Sequence, residues 1–486
     1  MLLVIAIVGS IVGYVEFLNH QINRVAVKGL TGASGAERGD INILLVGSTT
    51  RCGLKHQNPA FGLCAQVSGV NSDVIMVLHL DPATRKAAIL SVPRDVFAPN
   101  ARSDGPDKVD GALAQGPTQL VHAVEDDFAI PIQHYAELNF DSFMGIVNAI
   151  GGVKMYFPMP VYDAYSQLDI KQAGCVALNG FQALAVVRAR HLQYKPPGVT
   201  TSNHADWPYD PESDLSRIVR DHEFLRVLAS TVAKRGLGNP LTDRSLLAAV
   251  TPQLQVDSGL TLSGMVQLLL DFHNDNPDSA PQLTLPVIVN QHGSYVYQGT
   301  SYGSVEFASQ PADTQAIDAF LGVSPSTDTM TGGTLPSPGS VTVSVENGTR
   351  ASGQAGQTAR ALQALGYQVV GTGDAQAQSR VAETYVEYSS RVNEPAAERV
   401  AHSLSGAVIL SRHPTAKGAD VTVVTGSSFS VNGAPPSSGK TPSSGKSSSR
   451  EGAPVSSNAE TPAPALSAPT SSNPPLAAFD PRACPA

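Results

Sequence analysis

Three observations predict an α/β fold. Short apolar runs of strand length alternate with segments of helical spacing between residues 40 and 322, the pattern of sheets packed against helices. A smaller alternation of the same kind follows a Ser/Thr/Gly/Pro-rich connector. The chain, at 486 residues, is also longer than one hydrophobic core usually spans, so two or three domains are expected.

The first element is apolar. From Leu2 to Leu18 only Gly9, Ser10, Gly13, Tyr14 and Glu16 interrupt the run, and no small-x-small cleavage site follows. Residues 1–18 are therefore read as an uncleaved membrane anchor, with a removed signal-peptide core as the competing reading. Arg24 and Lys28 follow the run and no basic residue precedes it, the reverse of the positive-inside bias, so a cytoplasmic leader upstream is expected. Residues 19–39 read as a polar stalk.

Strands are predicted at DINILLVG (40–47), DVIMVLHL (73–80) and AAILSV (87–92), the last two separated by the turn dipeptide Asp81-Pro82. Helical spacing appears at 117–128, at 141–150 after a strand-like HYAEL, and at 179–190 with Asn179 as N-cap. A loop from His191 to Asp214 leads into helical spacing over 215–234. Helices near 242–250 and 261–272 and a strand LTLPVIV complete a domain spanning 40–322. A linker is expected over 323–339, and a small α/β domain over 340–430, with strands VTVSVENGT, YQVVG and VTVVTGSSF around a helix at 356–365. From 431 to 486 the Ser/Pro/Gly/Ala composition predicts a disordered tail, dispensable for folding.

Composition narrows the function. The chain is 42% hydrophobic, 15% charged and carries a net charge of −9, which argues against a general electrostatic nucleic-acid binder. No helix-turn-helix is recognisable, so a transcriptional regulator is poorly supported. Two near-motifs fail on context. Gly299-Thr300-Ser301-Tyr302-Gly303 fits GxSxG but lies between YVYQ and SVEF, where a hairpin is expected. Gly439-Lys440-Thr441 and Gly445-Lys446-Ser447 lack P-loop glycine spacing. Four cysteines without a CxxC pair suit disulfides in an exported chain. Cys52 with Cys64 is the expected pair, and Cys175 bonding to either of them is the alternative.

Arginine placement is the informative signal. Arg94 follows a strand in SVPRD, Arg188 and Arg190 end a helix in VRARH, and Arg217 and Arg220 open the next in SRIVRD. A guanidinium grips phosphate oxygens bidentately, so arginines converging on one point suit a pyrophosphate. The plainer reading is that they are solvated or salt-bridged surface arginines. Asp73 is either a metal ligand or a turn residue at a strand start.

At these residues the chain resembles the LytR-CpsA-Psr family. The matching stretches, in order over 40–235, are NILLVGSTTR, NSDVIMVLHLDPATRKAAILSVPRD, HYAELNFDSFMGIVNAIGGV, LNGFQALAVVRARH and DLSRIVRDHEFL. Residues 340–430 are similar to the LytR C-terminal domain of actinobacterial members. The resemblance implies a mixed sheet flanked by helices, with an apolar cleft for a lipid tail, in an extracytoplasmic domain held by a single-pass anchor. It further implies Mg²⁺-assisted transfer of a glycan from polyprenyl pyrophosphate to peptidoglycan. By position, Arg94, Arg188, Arg190 and Arg217 become the pyrophosphate clasp, with Arg220 beside them, and Asp73 the magnesium carboxylate. Three positions depart from the family: Thr49 where Asp is usual, Asn71 where Arg is usual, and Asp221 where Gln is usual. A protein that only binds the glycolipid is the alternative these departures raise.

Overall fold

The computed structural model describes residues 16–31, 39–55, 57–67, 69–211, 214–234, 248–272, 280–290, 293–375, 382–432 and 476–485. The anchor expected over residues 1–18 falls outside them except for its last three residues. The two Gly-Lys sequences between 439 and 447 also fall outside.

A seven-stranded mixed sheet organises the first domain. Its spatial order is Asn23–Val25, Gln255–Asp257, His134–Leu138, Ile41–Ser48, Ser72–Asp81, Lys86–Ser91 and Gln282–Thr284. The middle strands pair antiparallel at Val46↔Ile75 and Met76↔Ser91, whereas Ile41–Ser48 runs parallel to His134–Leu138. Leu44, Val46, Ile75, Val77 and Leu90 are buried from these strands, and helix Pro117–Phe128 adds Leu120, Val121, Val124 and Phe128 to the same core. Each such side chain contributes about 1.5–3 kcal/mol on burial. Helices Phe140–Ala149, Gly180–Arg188 and Asp214–Lys234 enclose a separate apolar cluster together with the strands Val153–Phe157 and Gly174–Leu178.

The C-terminal domain is built on a second mixed sheet. Its order is Val287–Val289, Glu306–Gln310, Leu404–Arg412, Thr384–Tyr388, Val421–Thr425, Thr342–Asn347 and Gln368–Asp374. Helices Gln354–Ala364 and Glu394–Ala401 cover it. Glu306–Gln310 from the first domain pairs with Leu404–Arg412 of the second, so the two domains share a sheet.

Several expectations are corrected. LTLPVIV is two strands, because Pro286 offers no N–H to a ladder: Gln282–Thr284 pairs in the first sheet and Val287–Val289 in the second. The stalk is part of the domain. Asn23–Val25 forms an edge strand on Gln255–Asp257, and Arg24 Nη1 donates to the Asp257 and Leu260 carbonyls at 3.0 and 2.5 Å. The linker is packed as well, with Met330 and Leu335 buried and Thr329 Oγ1 donating to Ala129 O. The tail returns: Arg482–Ala483 adds a strand to Val153–Phe157, and Cys484 bonds to Cys175. Composition averaged over 431–486 hides ten residues that contain Phe479, Asp480, Arg482 and Cys484. Cys52 bonds to Cys64 as expected, which rules out Cys175 as partner to either. At 296–301 a hairpin forms, Gln298 and Gly299 both taking the positive φ that a two-residue connection needs.

Candidate active site

The strand register brings distant residues to one end of the first sheet. Met76 pairs with Ser91 in antiparallel strands, so Asp73, at the start of the first, and Arg94, beyond the end of the second, emerge at the same edge. Ser48 pairs with Ser72 at that edge, which delivers Thr49, Thr50 and Arg51 there too. Leu138 lies beside Gly47, so the chain enters helix Phe140–Ala149 at the same place.

Two further helices deliver the other arginines. Asn179 and Gln182 form a capping box that fixes the start of Gly180–Arg188, and the chain turns extended at Ala189, leaving Arg188 and Arg190 on either side of the turn. A cation in that last helical turn also meets the negative end of the helix dipole. Arg217 sits in the first turn of Asp214–Lys234.

Asp73 is the centre of the arrangement. Arg94 Nη1 lies 2.5 Å from Asp73 Oδ1, and Arg217 Nη2 donates to the Asp73 carbonyl at 2.8 Å. Burial pushes the Asp73 carboxyl up, but the charges of Arg217, Arg94 and Arg190 and the Arg94 hydrogen bond outweigh it and hold it below the usual carboxylate range. Arg188 lies over Phe140 and Phe61, 4.7 and 5.0 Å from the ring centroids. Burial, with Arg51 alongside, lowers its guanidinium to about 10, while Asp73 and Asp163 oppose the shift. Arg94, Arg188, Arg190 and Arg217 therefore converge on one carboxylate, although 123 positions separate the first from the last.

Arg220 does not join them. Its guanidinium, 1% exposed, donates to Asp210 at 2.8 Å, Asp480 at 3.1 Å and the Ala189 carbonyl at 2.6 Å. Three positions after Arg217 on the helix and buried like it, Arg220 is held by these groups and not by Asp73. Its assignment to the clasp is corrected to a structural ion pair.

Two residues escaped the sequence reading. Arg51 ends the stretch GSTTR; its guanidinium stands 4.9 Å from the Phe140 centroid and donates to the carbonyls of Phe61 and Thr49. Its distance in sequence from the other arginines hid it, but its place directly after a strand was a usable signal. Asp110 lies within the apolar stretch VDGALA, which gave it no catalytic context. Burial raises its carboxyl to about 7, with Asp95 and Asp73 adding and Arg94 and Lys108 opposing.

The departures meet at the same place. Thr49 and Asn71 bind each other, the Thr49 N–H donating to Asn71 O at 2.8 Å and the Asn71 N–H to Thr49 Oγ1 at 3.0 Å. The Asn71 amide reaches Asp110 Oδ2 at 3.4 Å. Asp110 thus puts a carboxylate beside the pair that lacks one. Asp221 lies 3.9 Å from Arg217, adding negative charge next to the clasp. A hard divalent cation is commonly held by one or two carboxylates plus the phosphates of its substrate. Asp73, with Asp110 in range of its charge, fits that donor set.

The LytR_cpsA_psr family matches residues 18–310, and the family described as LytR cell envelope-related transcriptional attenuator matches residues 340–429. The probable cell wall biosynthesis protein LcpB of Corynebacterium glutamicum is 33% identical over 257 residues, 52% of this chain and 56% of that one. The cell wall biosynthesis protein LcpA of the same organism is 27% identical over 384 residues, 72% and 69% of the two chains. The polyisoprenyl-teichoic acid–peptidoglycan teichoic acid transferase TagU of Bacillus cereus is 29% identical over 209 residues, 41% of this chain and 59% of that one. The alignments thus span between 56% and 69% of these relatives. Among solved structures, a LytR-Csp2A-Psr enzyme from Actinomyces oris matches with a TM-score of 0.47 and 22% identity, covering 63% of this chain and 97% of that one. With its first-domain match running over more than half of its length, the chain belongs to the LytR-CpsA-Psr family and carries a LytR C-terminal domain.

Proposed function

We propose that this chain transfers a glycan from a polyprenyl-pyrophosphate carrier to peptidoglycan, by phosphoryl transfer at the Asp73 site. The observation that carries the reading is the convergence of Arg94, Arg188, Arg190 and Arg217, with Arg51, around Asp73. With Asp95, Asp110 and Asp221 as further acidic neighbours of Asp73, the five guanidinium groups still outnumber the carboxylates, which suits a pyrophosphate. Relatives named as cell wall biosynthesis proteins and as a teichoic acid transferase support the same class.

In this reading a peptidoglycan hydroxyl oxygen attacks the phosphorus that bears the glycan. The new P–O bond forms, the bond to the bridging oxygen breaks, and polyprenyl phosphate leaves with the electron pair while the hydroxyl proton is lost. Catalysis of this kind is mostly positioning and neutralisation of charge on phosphate oxygens. Arg94 and Arg217, fixed by Asp73, orient the two phosphates; Arg188, packed on Phe61 and Phe140, adds charge from the apolar side. Leu54, Phe61, Phe140 and Leu184 form a buried apolar cluster behind Arg188, which keeps that side of the site apolar. Mg²⁺, held by Asp73 with Asp110 adjacent, would supply further neutralisation of the phosphates when bound. The work is assigned to the outer face of the membrane, with residues 1–18 as the anchor.

A glycolipid-binding protein without transfer activity is the second reading, favoured by the absence of a carboxylate at Thr49. Incubating the protein with labelled polyprenyl-pyrophosphate glycan, Mg²⁺ and peptidoglycan fragments separates the two. Label covalently joined to peptidoglycan is expected. Retention of the glycolipid without transfer would replace the enzyme reading by the binder.

A further inference from the structure

A cluster at the seam between the two domains has no part in the clasp. Helix Glu394–Ala401 carries Glu394 and Glu398, and His402 caps it; the spacing of i, i+4 and i+8 sets all three on one helical face. Asp328, from the connector between the domains, meets that face. One carboxylate oxygen from each of Asp328, Glu394 and Glu398 lies within 4.8 Å of the other two, and His402 Nε2 is 3.9 Å from Glu398 Oε1. Two ligand atoms about 2.1 Å from a shared ion stand about 3 Å apart when adjacent and about 4.2 Å apart when opposite, so only a small closure is needed.

Acidity alone would not make this a site, but the cluster also holds buried polar atoms without hydrogen-bond partners. Glu394, 1% exposed, has Oε1 buried with no hydrogen-bond partner, and His402 Nε2 is buried without one too. Asp318 has neither carboxylate oxygen hydrogen-bonded and lies close enough to Glu398 to repel its charge. Arg391, three residues before Glu394, directs its guanidinium to Glu125 and Asp126, each at 2.8 Å. Buried charges are stable only when paired or coordinated.

We propose that Asp328, Glu394 and Glu398 form a divalent-cation site, with His402 beside Glu398 as its outer partner, that clamps the connector onto helix Glu394–Ala401. Three buried carboxylates suit a small divalent cation that accepts oxygen ligands, such as Mn²⁺ or Zn²⁺. The ion would give the connector a fixed path and hold the C-terminal domain against the first.

Calorimetric titration of Zn²⁺ and Mn²⁺ into the full chain tests this, using wild type, Asp73→Asn, and the double variant Glu394→Gln, Glu398→Gln. Asp73→Asn removes the clasp carboxylate and should still bind one ion. The double variant should lose that binding, by 100-fold or more, while keeping the wild-type circular dichroism spectrum. His402→Ala, at the rim, serves if the double variant fails to fold, and should weaken binding about 10-fold. Absence of any ion bound to Asp73→Asn overturns the proposal, and so does unchanged affinity in His402→Ala. A wild-type melting temperature indifferent to both ions, with a higher one in the double variant, would mean that protons occupy the cluster, and also overturns it.

Discussion

Arg190 and Arg220 are thirty positions apart and chemically identical, and their surroundings give them opposite work. Arg190 belongs to the group whose charge bears on Asp73, whereas Arg220 is sealed between Asp210 and Asp480. Arg190→Ala should therefore weaken polyprenyl-pyrophosphate binding by roughly 10- to 150-fold, the loss of about 1.5–3 kcal/mol of charge-assisted contact, with little change in melting temperature. Arg220→Ala should do the reverse: it strands two buried carboxylates and costs about 3–5 kcal/mol of stability, read by denaturant unfolding. Equal effects of the two substitutions on affinity would contradict the separation. Sequence spacing could not make this distinction. Arg217 and Arg220 stand one helical turn apart in SRIVRD, and the partners that separate them, Asp73 for the one and Asp210, Asp480 and the Ala189 carbonyl for the other, come from distant parts of the chain.

At the scale of elements, periodicity was a good guide wherever an element packs by one stripe. The helices Pro117–Phe128, Phe140–Ala149 and Gly180–Arg188 fall within a residue or two of their apolar spacing, because each buries a face and, in the last two, an Asn side chain accepts from an N–H of the first turn. Short edge strands gave no such signal. Asn23–Val25 and Arg482–Ala483 are three and two residues long, and their pairing depends on partners more than 200 residues away. The second strand is anchored from several sides. Ala483 N–H donates to Glu223 at 2.6 Å, Phe479 stacks on Tyr194 at 4.2 Å, and Cys484 bonds to Cys175. Truncation after residue 475 should thus lower the melting temperature far more than deletion of 433–475 alone. Asp480→Asn, which leaves Asp210 on Arg220, should cost an intermediate amount, about 1–3 kcal/mol. A truncated chain as stable as the parent would show that the terminal strand contributes nothing.

For the whole molecule, the seam between the domains is the least legible part of the sequence, because it is built from acids that composition counts as surface. Glu383 is buried within reach of the Asp127 and Asp313 charges, Asp127 is buried beside Asp126, and Tyr388 Oη crosses from the second domain to the Asp126 carbonyl at 3.0 Å. Burial raises Asp313 to about 7, against which the Thr314 N–H at 2.7 Å provides only partial opposition. The sign of the consequence follows from proton counts. Between the unfolded value near 3.9 and the folded value near 7, the native state holds a proton that the unfolded chain has released, so stability falls as pH rises through that window. Below it the contribution is complete, and above about pH 7 the loss is flat. Asp313→Asn cannot ionise, so the difference between its unfolding free energy and that of the parent should grow in its favour from pH 4 to pH 7, by up to about 4 kcal/mol. Urea unfolding in chelator at half-unit pH intervals measures this, with the divalent-cation cluster kept metal-free so that Glu394 and Glu398 act alike in both proteins. A difference that stays constant across those intervals would show that Asp313 remains ionised in the folded chain and that the seam does not depend on its proton.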